Sequence, residues 1–163
     1  GGIMRDLLPD LFDQYPQELQ LINLPWQTFG QNAVFSGQIV TVKCFEDNSK
    51  VKSVLATPGQ GKVLVVDGGG SNRRALLGDM IAQSAVDNGW QGIVIYGCIR
   101  DVATINTMNI GIKALGVNPI QTDKKDLGEI GVNIEINSIE VKDGMTVYAD
   151  LNGVAISDTA LVL

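Results

Sequence analysis

Lys62-Val63-Leu64-Val65-Val66-Asp67-Gly68-Gly69-Gly70 decides the fold: an almost unbroken apolar run of strand length stops at an acid and three glycines. A strand covered on both faces reads as a continuous apolar run, because neither side meets water. Downstream, Leu77, Ile81 and Ala85 recur at four-residue spacing opposite Asp79, Gln83 and Asp87. That is an amphipathic helix, and Asn88-Gly89 stops it. Ile93-Val94-Ile95-Tyr96 supplies a second buried strand. Strand, glycine loop, helix and strand in succession predict an α/β domain.

Working outward, Leu7, Leu8, Leu11 and Phe12 around Pro9 predict a short N-terminal helix, and the stretch from there to Gly30 reads as irregular. Phe35 to Phe45 predicts a strand with Val40, Val42 and Cys44 on one face and Thr41 and Lys43 on the other. Asp47-Asn48-Ser49 reads as a turn or helix cap, with Val51, Val54 and Leu55 at helical spacing behind it and Pro58-Gly59 closing the element. Ala75 to Leu77 suggests a brief strand, and Asp101 begins a second short helix through Ile105. The last third is rich in short strands: 110–115, 132–136, 139–141, 146–149 and 154–156. Turns at Lys142-Asp143-Gly144 and Asp150-Leu151-Asn152-Gly153 separate the later ones. The chain shows no repeat and no linker. It reads as one compact domain over 4–163 with a mixed sheet, and Gly1-Gly2-Ile3 reads as a remnant ahead of a start at Met4.

Composition narrows the chemistry. With 163 residues the chain is long enough for one sizeable core. A net charge of -6, with Arg73-Arg74 and Lys124-Lys125 the only adjacent basic pairs, disfavours direct nucleic-acid binding. No apolar run approaches a membrane span and no secretory leader is evident. Cys44 and Cys98 are too few for a disulfide framework and read as reduced thiols of a cytoplasmic protein. The chain has no histidine, so a bound metal would rely mainly on oxygen ligands, which favours Mg or Mn over Zn.

Two motifs carry chemistry. Gly78-Asp79-Met80-Ile81 opens a helix, where free backbone N–H groups can receive a carboxylate or phosphate. Asp79 also has an ordinary reading as a first-turn acid, worth about 1 kcal/mol. Arg100-Asp101, whose arginine lies 21 residues beyond Asp79, follows a buried strand, where α/β folds place ligands. Arginine offers a planar fork matched to a carboxylate and aspartate can hold a hard cation, although the pair also reads as a surface charge and a cap. Gly68-Gly69-Gly70 lacks the spacing of a nucleotide-binding loop and reads as a tight turn or a close backbone approach. Asp67 reads as a loop acid, Asp87 as a solvated helix face, Lys124-Lys125 as a solvated pair, and Trp90, Tyr96 and Tyr148 as packing residues. No lysine is placed for a Schiff base.

Several blocks carry a resemblance to a known family: Thr41-Val42-Lys43-Cys44-Phe45-Glu46-Asp47-Asn48, Val65-Val66-Asp67-Gly68-Gly69-Gly70-Ser71, Arg73-Arg74-Ala75-Leu76, Gly92-Ile93-Val94-Ile95-Tyr96-Gly97 and Tyr148-Ala149-Asp150. Together they resemble the regulator of ribonuclease activity A (RraA-like) family, which also contains the divalent-metal 4-hydroxy-4-methyl-2-oxoglutarate aldolases. The resemblance covers nearly the whole chain from Met4. It implies an α/β fold of the swivelling β/β/α type, a single domain with a central mixed sheet layer. It also implies assembly as a homotrimer or dimer of trimers with clefts at subunit interfaces. The aldolases carry Asp, twenty intervening residues and Arg-Asp, which Asp79 with Arg100-Asp101 matches in full. By that resemblance Asp101 would anchor Mg or Mn, Asp79 would place metal-bound water, and Arg100 with the amides of Gly78, Asp79, Met80 and Ile81 would hold a small oxoacid. The implied activities are cleavage of 4-hydroxy-4-methyl-2-oxoglutarate to pyruvate and oxaloacetate decarboxylation, both through a pyruvate enolate. The alternative it implies is a regulator that binds an RNA-degrading endonuclease, with the acidic surface facing basic segments of that partner. The chain is as short as the regulators, which bears on whether interface acids of longer aldolases are present.

Overall fold

The structure is a computed structural model describing residues 5–163; the proposed remnant Gly1-Gly2-Ile3 and start at Met4 lie outside the described residues. Four parallel strands form the centre: β3 (Phe35–Lys43), β4 (Lys62–Asp67), β5 (Gly92–Ile99) and β6 (Gly111–Val117). Antiparallel strands flank them, making the sheet mixed. β2 (Gln27–Phe29) pairs with β6, β10 (Thr146–Asp150) with β3, β11 (Gly153–Ser157) with β10, and β1 (Leu19–Leu21) with β11. A two-residue β7 (Glu129–Ile130) pairs with the end of β3.

Alternation along the central strands builds two cores. Val42, Leu64, Val66, Ile93 and Ile95 face α2 (Ser49–Leu55), α3 (Asp79–Asp87) and α4 (Val102–Ile105). Ile39, Val63, Val65 and Val94 face the other way, onto the hairpin β8 (Ile134–Ile136) and β9 (Ile139–Val141). Layers of hairpin, large sheet and helices result, in agreement with the expected mixed α/β domain. Both faces of β4 and β5 are therefore dry, which explains their unbroken apolar sequence. The N-terminal helix α1 (Leu7–Gln14) forms as expected and buries Leu7, Leu8 and Leu11 with Tyr148 and Ala155.

Some expectations are corrected. The stretch before Gly30 holds β1 and β2, whose three-residue runs are too short to show alternation and exist by pairing with sheet edges. Ala75 to Leu77 makes isolated bridges at Ala75, to Cys98 and to Gln121, rather than a strand. Leu77 precedes α3, so Ala82 and Ala85 form its buried face. The strand predicted from Val132 begins at Ile134, and that predicted to end at Leu115 runs on to Val117.

Candidate functional site

The parallel strands end at one rim of the sheet, and the candidate residues gather there. Ala75 bridges Cys98, Leu76 donates its N–H to the Cys98 carbonyl at 2.8 Å, and Arg100 donates its own to Leu77 at 2.9 Å. The chain entering α3 thus runs alongside the end of β5, carrying Gly78 to Asp101. A register shift in the β5–β6 pairing lies between Ile95 and Cys98, immediately before the site; such irregularities re-aim the residues that follow.

Asp101 caps α4 in the left-handed region (φ 59°), which aspartate tolerates better than most residues. Its Oδ2 accepts the Asp79 N–H at 2.9 Å and lies 3.8 Å from Arg100 Nε. Its Oδ1 accepts no hydrogen bond from any described residue. Gly78 makes this approach feasible: a Cβ there would stand 2.7 Å from Asp101 Oδ2 and 3.3 Å from Arg100 Nε. The Arg100 guanidinium reaches the Pro119 carbonyl at 3.4 Å and Gln121 Oε1 at 3.5 Å, both long bonds that leave donor capacity.

A cleft of about 290 Å³ contains Gly78, Asp79, Met80, Ile81, Arg100 and Asp101. Every predicted site residue therefore meets in one place. The amide set needs one correction, because the Asp79 N–H is taken by Asp101, while those of Gly78, Met80 and Ile81 have no acceptor among the described residues. Other lining residues were missed or misread: Asn48, Lys52 and Ala56 from α2 and its ends, and Gln121 and Lys124 from the following loop. Lys124 is thus a wall residue rather than one half of a merely solvated pair, and two lysines border the cleft. The signal for the first group was available, since Asn48, Lys52 and Ala56 recur at four-residue spacing opposite the apolar stripe of α2.

Asp47 builds that wall. Its Oδ1 accepts the Ser49 N–H (2.9 Å) and hydroxyl (2.6 Å), and its Oδ2 accepts the N–H groups of Lys125 (2.7 Å) and Leu127 (3.3 Å). Burial opposes its charge, but the Ser49, Lys125 and Leu127 bonds outweigh it and bring the carboxyl down to about 2. The Thr122 hydroxyl bonds Asn48 Oδ1 at 2.8 Å, tying the same loop to α2.

The other groups considered from the sequence are committed elsewhere. Gly68 and Gly70 donate to the Tyr96 carbonyl at 3.1 and 3.2 Å, and Gly69 to Asp67 Oδ1 at 2.9 Å, so the glycine loop is a turn with its amides occupied. Gly69 and Gly70 both take φ +68°, which glycine adopts freely. Burial, aided by Asp47 and Asp67, pushes the Cys44 thiol up to about 12, and burial also raises Cys98, so both stay protonated. Lys113 is buried between Thr28 Oγ1 (2.6 Å) and the Asp150 carbonyl (2.5 Å); burial pulls its pKa down against the opposing charge of Asp150. Tyr148 and Trp90 are buried packing residues, while Tyr96 is half-buried.

Among the described residues no group of three or more His, Cys, Asp or Glu side chains converges as a closed metal cage. The uncommitted Oδ1 of Asp101 in an open cleft suits a cation such as magnesium, which retains several waters and takes one or two carboxylates.

The comparisons with known proteins agree on the family. A family model described as RraA-like: Aldolase/RraA matches residues 7–156. A Shewanella oneidensis protein named "Putative 4-hydroxy-4-methyl-2-oxoglutarate aldolase" is 61% identical over 97% of this chain and 96% of its own length. Among solved structures, one titled as S-adenosylmethionine: 2-dimethylmenaquinone methyltransferase, from Geobacillus kaustophilus, is similar with TM-score 0.93 and 45% identity over 96% of this chain and 97% of that one. The RNA-processing inhibitor RraA of Thermus thermophilis gives TM-score 0.93 and 36% identity over 98% and 96% of the two chains.

Proposed function

The chain belongs to the RraA-like (Aldolase/RraA) family, and from that premise we propose that its cleft cleaves 4-hydroxy-4-methyl-2-oxoglutarate to pyruvate with a divalent cation, Mg or Mn, and decarboxylates oxaloacetate. One observation carries this reading: Asp101, Arg100 and the open N-terminal turn of α3 converge in one cleft. Asp101 would hold the cation and Asp79 its water. When bound, the cation supplies Lewis-acid polarisation of the keto oxygen.

The chain's own groups account for the rest. The free N–H groups of Gly78, Met80 and Ile81 receive the oxoacid carboxylate at the helix N-terminus. Arg100 opposes the negative charge that develops as the bond between C3 and C4 breaks and its electron pair stays on C3. The 4-hydroxyl proton leaves through water, because the chain has no histidine to take it, and C3 is protonated to complete a second pyruvate. Oxaloacetate loses carbon dioxide to the same fragment. A methyltransferase activity, for which one of the similar structures is named, finds less support, since the amides of the glycine loop are occupied.

A coupled pyruvate-release assay with and without Mg or Mn tests the reading. Metal-dependent release from 4-hydroxy-4-methyl-2-oxoglutarate or oxaloacetate is expected. Equal release after exhaustive chelation, or no release, would overturn it.

A second reading is favoured by the similarity to an RNA-processing inhibitor and the net charge of -6: a regulator that binds an RNA-degrading endonuclease through basic segments of that partner. Failure to bind or inhibit purified endonuclease would sink it. Met80, 84% exposed at the cleft, supports completion of the cleft by a neighbouring copy in a homotrimer or dimer of trimers; a monomer mass in solution would refute that.

A further inference from the structure

The cleft has a second cationic end. Gly78, Asp79, Met80, Ile81 and Ser84 all line it, so it runs from the N-cap along the first turn and a half of α3, ~9 Å from Gly78 to Ser84 at 1.5 Å per residue. Arg100 and Asp101 occupy the Gly78 end. Beside Ser84 the wall is α2, which packs there through the Asn88 Nδ2 bonds to the Leu55 carbonyl (3.2 Å) and the Ser84 carbonyl (2.8 Å).

Lys52 stands on that wall, in the cleft-facing stripe of α2, and Lys124 lines the same cleft from the loop that Thr122 ties to Asn48 at the start of α2. Neither has a carboxylate partner within 4.0 Å among the described residues, whereas Lys50, two residues earlier on α2, pairs with Asp126 at 2.8 Å and does not line the cleft. The cleft side chains thus carry three cations (Lys52, Arg100, Lys124) against two carboxylates (Asp79, Asp101), before any metal is added. A substrate with a single carboxylate held at the Arg100 end would leave Lys52 unanswered.

We infer that Lys52 selects for a second carboxylate on the substrate, so that the cleft prefers dianionic oxoacids over monoanionic ones of the same carbon skeleton. This rests on the oxoacid reading of the Arg100–Asp101 end. Lys52 also lies in the last turn of α2, where it opposes the helix dipole. That role would affect stability but not the choice between substrates.

The test compares 4-hydroxy-4-methyl-2-oxoglutarate with 4-hydroxy-4-methyl-2-oxopentanoate, in which a methyl group replaces the distal carboxylate. Both release pyruvate when the bond between C3 and C4 breaks, the second with acetone. In Lys52→Met the ratio of kcat/KM for the dianion to that for the monoanion should fall about tenfold to a hundredfold, the scale of one charge-assisted hydrogen bond, and mainly through KM. Lys52→Arg should restore part of it, and Lys50→Met should leave the ratio within about threefold, since that charge is paired with Asp126 and does not line the cleft. An unchanged ratio in Lys52→Met, or an equal fall in Lys50→Met, would overturn the inference.

Calorimetric titration in magnesium with 2-oxoglutarate and 2-oxopentanoate keeps the two readings separable. If no pyruvate is released from either substrate, the lyase reading fails, yet a preference for 2-oxoglutarate that collapses in Lys52→Met still supports the subsite. Equal affinity for both ligands, or no binding of either, overturns it.

Discussion

Asp47 and Asp101 stand in similar places and lead different lives. Each follows the end of a central parallel strand and sits at the start of a helix, Asp47 ahead of α2 and Asp101 capping α4. Asp47 is 2% exposed and accepts four hydrogen bonds, two on each oxygen. Asp101 accepts one, its side chain is 35% exposed, and a guanidinium stands 3.8 Å away. A carboxylate whose lone pairs are all used by the fold holds the fold together. One with lone pairs left over, beside a cation and facing a cleft, is available to a ligand. Proximity to a helix start does not separate the two; the count of committed acceptors does.

Breaking that contrast should give effects of different kind as well as size. Asp101→Asn keeps the shape and the left-handed tolerance of the cap but removes the charge. We expect pyruvate release to fall by at least ~100-fold, with unfolding free energy within about 1 kcal/mol of the parent. Wild-type turnover in this variant, measured at saturating metal, would place Asp101 with Asp47 among structural groups. Gly78→Ala tests the same site by crowding. Its backbone is extended, so alanine meets no conformational penalty, but the new Cβ would displace the Asp101 carboxylate. A loss of roughly tenfold to a hundredfold in kcat/KM is expected, since misplacement by about 1 Å is that costly; full activity would show that the close approach is unimportant.

The opposite substitution, Asp47→Ala, should act on stability first. It strands the Lys125 and Leu127 N–H groups and frees the loop that carries Lys124, at a cost of about 2–4 kcal/mol in chemical denaturation. A loss under about 0.5 kcal/mol would contradict its structural role. The smallest effect is in pH. Asp47 has its folded value lowered from 3.8 to about 2, so the stability it adds is fully present above about pH 4 and is lost as pH falls through 2. Asp47→Asn should therefore flatten the decline in stability between about pH 4 and 2; an unaltered slope would show that other carboxylates govern acid unfolding.

The central strands were legible because burial on both faces leaves a local mark: Val63 to Val66 and Ile93 to Ile95 are apolar without interruption. α2 and α3 were legible from helical spacing and their stops. The short strands β1, β2 and β7 were not, because two or three residues carry no periodicity and depend on edges formed by distant parts of the chain. Arg100-Asp101 and Asp79 could be singled out by their position at element ends and by family resemblance. Lys124 could not, because an exposed lysine in a polar loop reads as solvated until Asp47 and Asn48 fix that loop against α2.

The sequence by itself determined the alternation of strand and helix, the two buried central strands, the absence of any histidine ligand or base, and the identity of the residues at the strand ends. These follow from side-chain chemistry and short-range periodicity. Tertiary structure alone decided which of the acids would be spent. Asp47 meets amides about eighty positions along the chain, Asp101 meets only the Asp79 amide across the Gly78 gap, and the α2 lysine comes to border the same cleft. Hydrogen-bond partners that far apart in sequence are fixed by strand order and register, and no local pattern encodes them.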